Sequence, residues 1–306
     1  MEPTRRAEPR QARLVVDRGP RAPYRDGVCT LIIGRDVVAP GTVLLAANRD
    51  EDPARPADPP GVLNASPRLV GGRDRRAGGT WLAVRETRAV VAILNRRDRS
   101  GEPAPPASDR RSRGSLVLEV AAAVEDDPSG AWSGAEASEP LRATAATGLS
   151  RAALLRAVAA LTAARYAPCT LVFAAPEASW LMALESDGAP RFEPLAAGWH
   201  VLTHADLDDP REPRTAWLVR ELAGFRPDSL VEAERRLDAL LRSHGDPAAG
   251  APAVCLHQGR MVTVSSSSVW LAPGQARYRH AEGRPCEHAF VDQANLMSAP
   301  MPGGNR

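Results

Sequence analysis

At 306 residues, with 43% hydrophobic and 25% charged side chains, the chain has the composition of a globular protein large enough to bury a sizeable core. A net charge of +2 with only 3 Tyr and 4 Phe argues against a broad basic face or a base-stacking platform for nucleic acid. No stretch approaches the roughly 20 apolar residues that cross a bilayer, and the opening run Leu14-Val15-Val16 is too short for a secretory signal, so no membrane span and a cytoplasmic location are expected. Every basic residue is arginine, which together with the abundant alanine and proline reads as coding bias rather than phosphate binding. The cysteines at 29, 169, 255 and 286 are too few for a disulfide framework and read as reduced thiols.

In chain order, residues 1–28 are rich in Arg and Pro without periodicity and read as a flexible leader. Order is expected from Cys29. Cys29–Gly34 and Thr42–Ala47 are short apolar runs joined by a turn with Pro40-Gly41, a hairpin. Residues 50–79 carry many Pro, Gly and charged residues and read as a long loop serving a site. Thr80–Val84 and Ala89–Asn95 form the next strand pair, 96–112 another loop, and Ser115 a plausible N-cap for the run Leu116–Val120. Residues 125–150 are low in pattern. Arg151–Ala164 is helical, with Leu154, Leu155, Val158 and Leu161 as its core stripe. Strands follow at Cys169–Ala175, Ser179–Leu184 and Trp199–Thr203, helices near Pro213–Gly224 and Asp228–Ser243, and strands at Ala253–His257, Met261–Leu271 and Arg277–Ala281. Strand pairs interleaved with helix pairs suggest layered sheets with helices outside, and disfavour strict βαβ alternation. The ordered domain is expected over 29–295, with a flexible tail at 296–306.

A lone cysteine heading an apolar strand is most often a small buried hydrophobe. Its neighbours change that reading. Asn48-Arg49-Asp50-Glu51 follows the second strand, Gly78-Gly79-Thr80-Trp81 precedes the third, and Asn95 closes the fourth. Antiparallel strand ends of this kind can converge on one edge, setting a carboxylate, two amides and an arginine around the thiol.

These motifs, with Cys29-Thr30-Leu31-Ile32, Gly72 and Arg113-Gly114 in the same order, resemble the family named for the tetrapeptide Asn-Arg-Asp-Glu, which includes the transport-and-Golgi-organisation proteins. Gly198–Thr203, Leu207–Pro210, Val254–His257 and Thr263–Ser267 resemble its later blocks, so the likeness runs from about 29 to 295. The resemblance implies an α+β fold, a four-layer αββα sandwich of two antiparallel sheets flanked by helices, as in N-terminal-nucleophile hydrolases. In the similar choloylglycine hydrolase group the mature chain begins with Cys, whose thiol attacks an amide while its own α-amine is the base. An α-amine titrates near 7.7–8.0 and a thiol near 8.5, so such a transfer is feasible close to neutral pH. Carried over by position, Cys29 is the nucleophile, Asp50 holds its amine, Asn95 is the first oxyanion donor and His204 stands where that group has the second. Asn48, Arg49, Glu51, Trp81 and Arg113 are the expected substrate contacts, with a loop-bracing salt bridge an equal reading for Arg49 and Glu51. Ala47 stands where the hydrolase group has an arginine, and no arginine falls within Thr263–Ser268. Because Cys29 is internal, the mechanism requires either cleavage at Val28–Cys29 or a true start other than Met1.

Cys255-x-His257 and Cys286-x-His288 are units that bind zinc in other settings, but Cys255 and His257 alternate along an expected strand, so neither a metal nor a cofactor is expected. Gly71-Gly72 and Gly78-Gly79 read as turns rather than phosphate cradles, and Ser265–Ser268 lacks a nucleophile elbow. Two function classes remain. The first is an amidohydrolase or acyltransferase acting on a small acyl amide. The second, implied by eukaryotic relatives linked to haem movement and lipid or acyl-CoA handling, is a non-catalytic carrier on the same fold, for which His200, His204 or His257 offers an axial ligand. Either way the partner is a small molecule.

Overall fold

A computed structural model of the chain describes residues 29–101, 106–123 and 148–297. The leader, most of the low-pattern stretch 125–150, and the tail beyond 297 lie outside the described residues.

The first strands are β1 (Thr30–Arg35) and β2 (Val43–Glu51), joined by the expected turn. With β10 (Gly198–Leu202), β11 (Val262–Ala272), β12 (Gln275–Ala281) and β13 (Val291–Asp292) they form one antiparallel sheet, ordered β10-β1-β2-β11-β12-β13. The second sheet runs β3-β4-β5-β6-β7-β8-β9. It comprises β3 (Ala57–Ala65), β4 (Arg68–Asp74), β5 (Leu82–Arg85), β6 (Ala89–Asn95), β7 (Cys169–Ala174), β8 (Ser179–Leu184) and β9 (Arg191–Pro194). Helices α1 (Arg113–Ala121) and α2 (Gly148–Ala163) cover the second sheet, and α3 (Pro213–Leu222) and α4 (Leu230–Leu241) cover the first. A short α5 (Ala294–Met297) packs its Leu296 and Met297 toward the space between the sheets.

Three apolar layers hold this stack together. Leu31, Ile33, Val43 and Leu45 of the first sheet meet Val84, Val90, Val172 and Leu181 of the second. Alternate residues of the same strands, Ile32, Leu44 and Ala46, point the other way onto Leu218, Leu237 and Leu240 of α3 and α4. Both faces of the central strands are covered, which is why β1, β7 and β8 read as continuous apolar runs instead of alternating ones. The architecture is thus an α+β, four-layer αββα sandwich. No helix among the described residues is long and apolar enough to cross a membrane.

Several local expectations are corrected. Residues 57–74 are not a loop but the β3–β4 hairpin. Pro59 and Pro60 hid it, and they are tolerated because β3 is an edge strand whose register slips between Asp58 and Gly61. The tetrapeptide does not follow β2 but forms its last four residues. Ala253–His257 is an irregular segment rather than a strand. Helix α1 starts earlier than expected, with Ser112 at the N-cap and the Ser115 hydroxyl donating to Ser112 O. In α2 the buried face is Leu149, Ala153, Leu154, Ala157 and Ala160, while Leu155 and Val158 are 39% and 40% exposed. An alanine-rich face lets the helix sit close to its neighbours, so small side chains won the interior.

Candidate active site

Cys29 stands immediately before β1 on the face that looks toward the second sheet, with Ala47 and Trp81 beside it. Its Sγ lies 3.6 Å from the backbone O of Asp50. Burial, then the neighbouring Asp50 carboxylate, pushes the thiol up to about 11. The sulfur opens onto a cleft of about 680 Å³ between the sheets, which is also lined by Arg49, Glu51, Trp81, Asn95 and Arg113. Thr30 pairs with Asn48 in the β1–β2 register. Continuing that register by one step sets Cys29 across from Arg49, next to Asp50.

Strand alternation splits the tetrapeptide. Asn48 and Asp50 point toward α3 and α4, whereas Arg49 and Glu51 point toward the cleft. The Asn48 amide donates to Leu241 O (2.8 Å) and Val254 O (3.0 Å). Both its hydrogens are therefore spent on backbone at the far side of the sheet, a bracing position rather than the substrate contact expected of it. Asp50 is fully enclosed, and its Oδ1 accepts 2.6 Å from the Thr263 hydroxyl. Its Oδ2 accepts 3.3 Å from Arg214 Nη1, which also donates to Thr30 Oγ1 at 2.9 Å. Burial raises this carboxyl to about 6, and Arg214 and Thr263 pull against that rise.

Arg214 and Thr263 are the site residues that sequence reasoning missed. Arg214 follows Pro213 at the start of α3 and carries no local signal. Thr263 is one hydroxyl residue in a strand full of them. The cation beside Asp50 thus arrives from a helix, and Thr263 of β11 adds a hydroxyl to the same carboxylate.

On the cleft side, Arg49 lies 4.2 Å over the Trp81 ring and 3.8 Å from the Glu51 carboxylate. Glu51 is also 3.6 Å from Arg55, which bonds Asp74 at 2.7 Å. Arg113, at the start of α1, donates to Pro168 O (3.0 Å), and burial lowers its affinity for a proton. Asn95 ends β6 exposed on the cleft wall. His204 lies in the bend that follows β10 and is not a wall residue. It is 6% exposed, and burial, then Arg97, depresses it to about 4, so its ring is neutral at pH 7. His200 bonds Asp208 (2.7 Å) and Ala196 O (3.2 Å), and neither it nor His257 lines the cleft.

The family described as Transport and Golgi organisation 2 matches residues 32–235, which is 204 of 306 residues. The chain belongs to that family. The match spans the tetrapeptide, Trp81, Asn95, Arg113, His204 and Arg214, and begins three residues after Cys29. No curated protein matches the chain in sequence. Among solved structures it is similar to the Caenorhabditis elegans N-acylethanolamine-hydrolyzing acid amidase ortholog, at 15% identity and TM-score 0.44, over 81% of this chain and 94% of that one. It is similar also to penicillin V acylase from Agrobacterium tumefaciens, at 12% identity and TM-score 0.47, over 88% of each chain. A third is a mutant of conjugated bile acid hydrolase from Clostridium perfringens, at 11% identity and TM-score 0.41, over 90% of this chain and 95% of that one. Likenesses this distant carry no functional argument.

Two family-motif glycines show why the sequence folds this way beside the cleft. A Cβ on Gly79 would lie 2.4 Å from the Gly114 carbonyl carbon, and one on Gly114 would lie 2.7 Å from Thr80 N. The two backbones touch, and Thr80 N donates to Gly114 O at 3.3 Å. That contact seats the start of α1, and so Arg113, against the strand entry that carries Trp81.

Proposed function

We propose that this protein is a cysteine amidohydrolase or acyltransferase whose nucleophile is Cys29, freed as an amino terminus by cleavage at Val28–Cys29, and that it acts on a small anionic acyl amide. The observation that carries the reading is the joint position of the sulfur and the buried Asp50. The thiol opens onto a cleft and lies 3.6 Å from the backbone O of Asp50, whose carboxylate is enclosed. Inside an uncut chain burial raises the thiol to about 11 and, among the described residues, its hydrogen-bond partner is a backbone carbonyl rather than a base, so at neutral pH it is held protonated. A free α-amine on the same residue supplies the missing acceptor, and Asp50 favours its charged form once the proton has moved.

The steps then balance. The thiol adds to the amide carbonyl as its proton passes to the α-amine. Negative charge develops on the carbonyl oxygen, toward which Asn95 is the candidate donor on the wall; losing such a donor typically costs about 10²–10³ in turnover. The α-ammonium returns the proton to the leaving nitrogen, which departs as an amine and leaves a thioester on Cys29. Water, or an acceptor amine in a transferase, resolves the thioester and restores the thiol. The wall carries Arg49, Arg55, Arg76, Arg110, Arg111 and Arg113 against the side chains of Glu51 and Asp74. Among the described residues no carboxylate bonds Arg113, so this excess of cations favours a substrate with a carboxylate or phosphate.

Intact mass of the purified protein is expected to show a chain beginning at Cys29. Iodoacetamide should alkylate that form at neutral pH far faster than an uncut chain, and Cys29→Ala should lower turnover of the amides accepted from an acyl-amide panel more than ~10³-fold. A full-length mass together with no amide consumed sinks the proposal. Tight, unconverted binding of an acyl-CoA by the cut chain assigns the carrier reading instead.

A further inference from the structure

We propose that His244, Cys255, His257 and Cys286 form a structural zinc site that ties the β12–β13 loop to the segment preceding β11. The expectation from sequence is that Cys255-x-His257 and Cys286-x-His288 bind no metal, because the first pair lies on a strand. No strand is there. Freed from alternation, Cys255 and His257 turn to the same side, and Cys286 reaches them from the loop after β12. His288 is not a member, for its ring lies against Gly283. Its place is taken by His244, just beyond α4.

One ligating atom from each of the four residues lies within 4.8 Å of every other. Cys255 Sγ is 3.4 Å from Cys286 Sγ, and His257 Nε2 is 3.1 Å from Cys286 Sγ and 3.9 Å from Cys255 Sγ. The His244 and His257 rings meet at 85° rather than stacking. Tetrahedral zinc, with bonds of about 2.3 Å to sulfur and about 2.0 Å to nitrogen, needs ligand separations of roughly 3.3–3.8 Å. The four atoms therefore need shifts of only a few tenths of an ångström to about 1 Å. Beyond the ligands, Glu287 Oε1 is 3.6 Å from His257 Nδ1, which leaves Nε2 for the metal and puts a carboxylate on the other ring nitrogen.

Two soft sulfurs and two imidazoles, with no carboxylate in the group, select zinc over magnesium or calcium. Four protein ligands close the coordination sphere, so the role is structural. The rival is a Cys255–Cys286 disulfide, which needs the sulfurs to close to about 2.05 Å and leaves the paired imidazoles without a task. All four residues lie beyond the stretch matched to the family. They are nonetheless wired to the Asp50 site: Asn48 donates to Val254 O, and Leu256 N donates at 2.8 Å to Thr263 Oγ1, the hydroxyl that bonds Asp50.

Reduced protein loaded with zinc and dialysed is expected to retain one zinc per chain by elemental mass spectrometry. Cys255→Ser, Cys286→Ser and His244→Ala should lose it, His288→Ala should keep it, and Glu287→Gln should weaken retention about 10–100-fold. Cobalt in place of zinc should give a thiolate charge-transfer band that is absent from Cys286→Ser. Because ligand variants can misfold, the unaltered protein is also melted with a chelator, which should lower Tm, with zinc but not magnesium restoring it. Zinc at buffer level with a melting curve indifferent to chelator overturns the proposal, as does loss of zinc from His288→Ala equal to that from His244→Ala.

Discussion

The two faces of the first sheet treat polar groups differently, and β2 shows it within four residues. Toward α3 and α4 the polar side chains are enclosed and partnered: Asn48 Nδ2 on two carbonyls, Asp50 on Thr263 and Arg214, and Arg279 on Asp238 and Glu234. Toward the second sheet, Arg49 and Glu51 border open space, and His280, held neutral by burial, meets the Ser267 hydroxyl. One tetrapeptide thus serves two compartments. Its even-numbered residues bond toward the helices and its odd-numbered ones face the cleft, while the backbone O of Asp50 lies 3.6 Å from Cys29 Sγ.

The sharpest way to break this comparison is Asp50→Asn. Turnover by the cut enzyme should fall about 10²–10³-fold, because the amine loses the charge that favours its protonated form. Circular dichroism should show an intact fold, and unchanged kcat would place Asp50 outside the chemistry. Next comes Asn48→Ala, which orphans Leu241 O and Val254 O. Denaturant unfolding should report a loss of about 1–3 kcal/mol with kcat/KM per folded molecule unchanged. A raised KM at full stability would return Asn48 to the substrate side. On the cleft face, Arg49→Ala removes the cation over Trp81 and should raise KM with kcat nearly constant. The loss is about 0.5–2 kcal/mol in binding, measured by steady-state kinetics.

The smallest effect is in the pH dependence of stability. Burial depresses His204 and His280 to about 4. Their contribution is therefore present above the ordinary imidazole value and is lost as pH falls from about 6.5 to 4. Asp50 is raised to about 6, so its contribution runs the other way and declines as pH rises between about 4 and 6. The slope of Tm against pH across 4–6 should flatten in His280→Gln and steepen in Asp50→Asn. Equal slopes in all three proteins would mean that neither group titrates in the folded state as its surroundings demand.

Much of the chain was legible as sequence. Strands β1, β6, β7, β8 and β11 stand near where they were read, and β1, β6, β7 and β8 are largely apolar because both of their faces are covered. The motif order of the family placed Asn95, Trp81 and Arg113 on one cleft with Cys29. The β3–β4 hairpin was not legible, because two prolines contradict a strand unless it lies at an edge, and edge position is a property of the whole sheet. The buried face of α2 was misjudged for a similar reason: side-chain size ranks hydrophobicity but not how closely a neighbour approaches.

By itself, then, the sequence determined which segments must be buried, which family they belong to, and which residue types gather near the thiol. These follow from local periodicity and from motifs that survive in one dimension. Only the tertiary structure decided that Asn48 and Asp50 face away from the cleft, that Arg214 from a distant helix supplies the cation beside Asp50, and that His244 rather than His288 completes the sulfur–imidazole cluster. Those outcomes depend on strand register and on contacts between segments far apart in the chain, where no spacing rule connects the partners.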